Sequence, residues 1–190
     1  MRWMALSSCL VLAGCSVVGG WKMPWARDCA DRPSEIAAHV QCRFGGLFRA
    51  VESKRHPCAE GGGLLGDGRA MHIADEYKLV IAREGSDEPF ARVKIEQSVR
   101  GRYSQHKSGL MDTLHTMSPK GVPGREVNGF STFTIDESAS DDSAVETIAV
   151  VFSEREPAIA TIQFLRTSAG ERPRELQGDF VEAYTSCLAK

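Results

Sequence analysis

Gly61-Gly62-Gly63-Leu64-Leu65-Gly66 is a GxGxxG string, and in the right setting such a string turns backbone N–H groups onto a pyrophosphate. The setting is a strand before it and a helix after it. Here Pro57-Cys58-Ala59-Glu60 precedes it and no helical pattern follows, so residues 60–68 read as a glycine-rich loop without a cofactor. Five histidines, His39, His56, His72, His106 and His115, are the candidate ligands or acid–base groups. His106 and His115 lie on one helical stretch at a spacing that sets them about 180° apart at 3.6 residues per turn, so they do not share a site. Neither a GxSxG elbow nor an HExxH pair is present. The acidic stretch from Asp136 to Asp142 lacks the alternating ligands and glycine of a calcium loop, and reads as a solvated hairpin tip that a basic partner could meet. Met71, Met111 and Met117 form no copper-binding run and read as core. No catalytic residue, no cofactor site and no metal site is expected.

The cysteines carry a stronger signal. Met1-Arg2 supplies a short positive start, and residues 3–12 a short apolar stretch interrupted by Ser7, Ser8 and Cys9. That is the outline of a secretory signal, too short to span a bilayer comfortably. Leu12-Ala13-Gly14-Cys15 follows, and it resembles the bacterial lipobox read by the lipoprotein signal peptidase. The resemblance implies that the Cys15 thiol takes a diacylglyceryl group, that cleavage follows Gly14, and that the freed amine is acylated. Two or more chains anchor durably where one does not, at about 0.8 kcal/mol per buried methylene. Ser16 rather than Asp follows Cys15, which resembles the outer-membrane sorting pattern of Gram-negative lipoproteins. The expected address is the periplasmic face of the outer membrane. The competing reading is an uncleaved signal anchor running to Trp21, which the Ser and Gly residues of this stretch weaken.

On this reading residues 1–14 are a signal peptide and 15–28 a lipidated tether. Trp21 and Trp25 in the tether suit either lipid headgroups or the surface of the domain. Cys9 is removed and Cys15 consumed, leaving Cys29, Cys42, Cys58 and Cys187. An even number in an oxidising compartment points to disulfides, with three connectivities open. If two form, Cys187 has to reach back to the amino-terminal region, stapling the last helix to the first segment. A zinc site built on Cys58 with His56 or Cys42 lacks the usual ligand spacing.

The elements that must position these groups follow from periodicity. With 190 residues, 23 basic against 25 acidic side chains and a formal charge of -2, the chain has one domain's worth of core and no field that favours nucleic acid. Asp31 to Glu35 reads as a helix start, the helix carrying Ile36, Ala37 and Val40 and stopping before Gly45; a strand over 40–51 fits as well. Strands are expected at 77–82 and through Ala91, Val93 and Ile95. Tyr103, Leu110, Met111, Leu114 and Met117 then form a helical stripe that ends at Ser118-Pro119, and 120–124 is a loop. Three strands follow at 127–135, 145–152 and 158–165. The run 147–152 is apolar on both faces and belongs inside a doubly covered sheet. Pro173 opens a closing helix with Leu176, Phe180, Tyr184, Cys187 and Leu188 on one face. The fold class expected is α+β: a single domain over 29–190 with an antiparallel sheet flanked by helices.

This element order is similar to the PsbP-like α/β/α sandwich, and Val122 to Gly129 and Asp179 to Tyr184 resemble it locally. Residues 77–190 also resemble, distantly, periplasmic lipoproteins that neutralise type VI secretion phospholipase effectors. The resemblance implies a non-enzymatic protein-binding module on the membrane. The concrete form is an immunity or inhibitor protein against a secreted toxin, with sandwich loops occluding the toxin's active site. An envelope assembly or structural lipoprotein, and an envelope hydrolase with an unrecognised site, are the alternatives. The expected partner is a protein, a toxin or an envelope component, with the membrane reached through acyl chains on Cys15 and no nucleic acid.

Overall fold

Alternating apolar side chains build the sheet. The computed structural model describes residues 36–42, 44–57, 73–99, 101–117, 122–124, 126–136, 144–166 and 174–190. Tyr77, Leu79 and Ile81 of β2 (Ile73–Arg83) pair directly with Ile95, Val93 and Ala91 of β3 (Pro89–Ser98), all six buried on one face. Helix α2 (Tyr103–Met117) then crosses to a second meander: β4 (Val122–Pro123), β5 (Ser131–Asp136), β6 (Val145–Ser153) and β7 (Ala158–Leu165). With β1 (Phe48–Pro57) at one edge, the order is β1-β2-β3-β7-β6-β5-β4, every pair antiparallel. The β3–β7 pairing welds the two meanders into one seven-stranded sheet.

Each face carries a helix, because each presents its own apolar set. On one side α3 (Arg174–Leu188) lays Phe180 and Tyr184 on Phe44, Phe48, Phe90 and Phe164, helped by Ile36 ahead of α1 (Ala37–Val40). On the other side Leu110, Met111 and Leu114 of α2 pack on Phe133, Ile135, Val150, Phe152 and Ile159. Strand β6 lies between β7 and β5 and divides its side chains between the two clusters, Ala149 and Val151 to one, Val150 and Phe152 to the other. Full burial of one such side chain is worth roughly 1.5–3 kcal/mol. The class is α+β.

Three local readings change. Between Ala37 and Val51 there is neither one long helix nor a strand from 40: α1 covers Ala37–Val40, a 3-10 turn covers Phe44–Gly46, and β1 starts at Phe48. Gly45 and Gly46 turn the chain with φ of 67° and 76°, a conformation that a helix cannot continue through. The loop over 120–124 contains a short strand, β4, whose Val122 and Pro123 pair with Thr134 and Phe133. The strand expected from 127 begins at Ser131, because Val127 and Phe130 close on each other across Asn128-Gly129, with φ of 52° and 83°. That pair suits a tight turn with two left-handed residues. Asn128 Nδ2 then donates to Thr185 Oγ1 and Ser186 Oγ, each at 2.9 Å, latching the turn to α3.

Candidate functional site

Helix α2 covers β5, β6 and the adjoining end of β7, so among the described residues no helix covers the same face of β1, β2 and β3, which is polar. Register fixes what that face presents. Lys54, Lys78 and Lys94 stand in one row, each opposite the next on neighbouring strands about 4.8 Å apart. In the next row Glu96 faces Glu76, with His56 beyond it. Like charges directly opposite one another destabilise a sheet. Two ion pairs along the strands offset this, Lys94 to Glu96 at 2.9 Å and Lys78 to Glu76 at 3.1 Å. Lys54 and the exposed Arg92 have no partner among the described residues. Lys54 and Arg92, beside the two ion pairs and Glu52, thus stand on a rigid strand scaffold, where an acidic group can meet them without reorganising the protein.

At the foot of α2 this face ends in a buried polar set. Glu96 and Ser98 lie on one face of β3, and Arg102 N–H donates to Val99 C=O just ahead of α2, from which His106 comes down on both. The Ser98 Oγ to His106 Nδ1 distance is 2.7 Å, and His106 Nε2 lies 4.0 Å from Glu96 Oε2. Serine, histidine and carboxylate therefore converge here, the combination used for nucleophilic catalysis. Their exposures are 4%, 5% and 6%. In this arrangement the hydroxyl meets the imidazole inside the fold, and the set ties strand to helix. His115, on the opposite side of α2, is exposed, as the 180° spacing requires.

A second buried set lies under α3. His39 Nδ1 is 2.7 Å from the Tyr184 hydroxyl, and His39 Nε2 is 3.4 Å from Glu156 Oε2, close but off hydrogen-bond geometry. The tautomer that suits both neighbours carries its proton on Nε2 and lets the Tyr184 O–H donate to Nδ1. Burial pushes the imidazole down from 6.5 to about 4, and burial together with the Glu156 charge pushes the Tyr184 phenol up. His39 is neutral at pH 7. Because its folded pKa lies below the unfolded one, the unfolded chain takes the proton first as pH falls. Its contribution is complete above about pH 6.5 and is lost on acidification toward pH 4, a loss of about 3 kcal/mol. Urea titrations at pH 7 and pH 4 are expected to show that much more acid destabilisation in wild type than in His39→Gln; equal slopes would remove His39 as the cause.

Beside this set Cys42 is bonded to Cys187, so α3 is stapled to the segment after α1. A shallow groove of about 580 Å³ runs past it between α3 and the Phe44–Gly46 turn, with Leu47, Asp179 and Glu182 at its rim. Cys15, Cys29, Cys58, Trp21, Trp25, His72 and the GxGxxG string lie outside the described residues. So does the acidic stretch apart from Asp136, which accepts a hydrogen bond from Arg174. Among the described residues no three metal-ligating side chains gather, and no helix is long and apolar enough to cross a membrane. Sequence reasoning missed the lysine row, the Ser98–His106–Glu96 set and the His39–Tyr184–Glu156 set. The one signal available was Glu96 and Ser98 at alternate positions of a strand that runs into a helix. Comparison with protein-family models, with curated proteins and with solved structures gives no match to this chain.

Proposed function

We propose that the protein is a bacterial lipoprotein held by acyl chains on Cys15 at the periplasmic face of the outer membrane. Its α+β unit, read as a PsbP-like α/β/α sandwich, serves as a non-enzymatic protein-binding module. The observation that carries the binding reading is the open face of β1–β3, where three lysines stand in a row and Arg92 has no partner among the described residues. Keeping like charges in register costs stability, and such departures from local preference are expected where a surface serves binding. The partner that fits is a protein with an acidic surface. An immunity or inhibitor role against a secreted toxin is the form of this function that we favour. The Cys42–Cys187 disulfide supports an oxidising compartment, and the lipobox-like Leu12-Ala13-Gly14-Cys15 supports the anchor.

Two measurements test the parts separately. Labelled palmitate is expected to mark the wild-type chain and to be lost, with the membrane fraction, in Cys15→Ala; label retained by that variant would remove the anchor. Capture of the full chain from membranes that also contain the toxin is expected to recover it. Arg92→Glu should weaken recovery roughly tenfold, the effect of about 1.4 kcal/mol. Undiminished recovery by the reversed variant would move the binding site away from this face.

A further inference from the structure

The two edges of the sheet are treated differently. At one, β4 is two residues long and ends in Pro123, which has no N–H to offer a neighbour. At the other, β1 runs for ten residues to Pro57, with a bulge between Ala50 and Glu52 and a regular register from Glu52 onward, and from Ala50 to Lys54 it is exposed. The two exposed large apolar side chains among the described residues, Leu47 at 58% and Val51 at 39%, both lie at its start. An edge strand of this length is a template for another strand. A lysine is the usual device that repels one. Here Lys54 is accompanied, two residues back on the same face, by Glu52, and neither has a partner among the described residues. The other charges of the strand are engaged, Arg49 with Asp87 at 2.6 Å and Arg55 with Asp75 at 3.0 Å.

Glu52-Ser53-Lys54 is self-complementary. In an antiparallel pairing of two such strands centred on Ser53, residues whose numbers sum to 106 face each other, so Glu52 meets Lys54 of the second strand and Lys54 meets its Glu52. Directly opposed unlike charges stabilise a strand pair. We propose that β1 is the homotypic interface of this protein: two copies join edge to edge about a two-fold axis through Ser53. Such an isologous contact is the commonest way in which identical chains close into a dimer. The two-fold axis is perpendicular to the sheet, so both open faces point the same way. They merge into one platform, β3-β2-β1 of one copy continuing into β1-β2-β3 of the other, with an α2 helix as a wall on either side. This inference rests on the edge strand alone and holds whatever the open face binds.

The test uses the full chain in the membranes of cells that make it, with the photocrosslinker p-benzoyl-phenylalanine at position 53. Irradiation is expected to give a band of twice the monomer mass containing this chain only. Glu52→Lys and Lys54→Glu, each alone, set like charges opposite each other and should lower that band roughly tenfold. The double reversal restores the match and should restore the band. Circular dichroism and an intact Cys42–Cys187 bond in every variant confirm folding. No self-crosslink, a crosslink to a different protein alone, or a dimer band indifferent to the single reversals would each overturn the proposal. Because Arg92 lies outside the strand pairing, loss of partner capture in Arg92→Glu with the dimer band intact separates the two surfaces.

Discussion

Replacing Cys42 and Cys187 together with alanine is expected to destabilise the fold by about 5 kcal/mol, the value that the chain-entropy model gives for so long a closed loop. The bond joins residues 145 apart in sequence, so reduction releases nearly the whole described chain in the unfolded state. It also frees the segment holding Cys42 and Phe44, which together with Ile36 lids the aromatic cluster under α3. Alanine is the proper replacement, because Cys42 is buried and, apart from the disulfide, its sulfur makes only a long contact to the Tyr184 carbonyl. A domain has about 5–15 kcal/mol to lose, and at this chain length the change corresponds to roughly 10–20 °C in Tm. Thermal unfolding of wild type, of wild type with reductant and of the double variant tests it. The last two should coincide. A shift below a few degrees, or peptide mapping without a linked 42–187 fragment, would show that this staple is not what holds α3.

Phe180→Ala is expected to cost about 4 kcal/mol, within the range for emptying a buried aromatic site. Phe180 is fully buried, and its ring meets Phe48 at 5.1 Å, Phe44 at 5.3 Å, Phe90 at 5.9 Å and Phe164 at 6.1 Å between centroids. These neighbours come from the 3-10 turn, β1, β3 and β7. The ring therefore joins the edge strand to the centre of the sheet, and no single neighbour can collapse into the space that it leaves. Phe180→Leu, which keeps most of the volume, should cost less than half as much. Urea unfolding of the three proteins at pH 7 gives the ranking directly. If alanine and leucine proved equivalent, the cluster would be able to repack and the predicted rigidity would fail.

How legible the chain is depends on whether an element buries one face. Strands β2, β3, β6 and β7 bury residues at alternate positions or on both sides, and α2 and α3 bury a stripe, so period two and period 3.6 identify them. Strand β1 buries only Phe48 among its side chains of known exposure and shows no period at all. It is a strand because β2 offers it a ladder of N–H and C=O groups, and that offer is made by a neighbour 18 to 35 residues away. The tight turn at Asn128-Gly129 shortened β5 for a comparable reason: its register is set by pairing with β6, which local propensity does not report.

The sequence by itself determined what depends on side-chain type and local period: the α+β class and the apolar faces of its strands and helices. Only the tertiary structure decided which distant residues meet. It joined Cys42 to Cys187, set Tyr184 against His39, brought His106 down on Ser98 and lined up Lys54, Lys78 and Lys94. Burial preferences are written in each residue, whereas partner choice is a property of strand register and helix docking. Those are fixed jointly by the whole core, and no short window of the chain contains them.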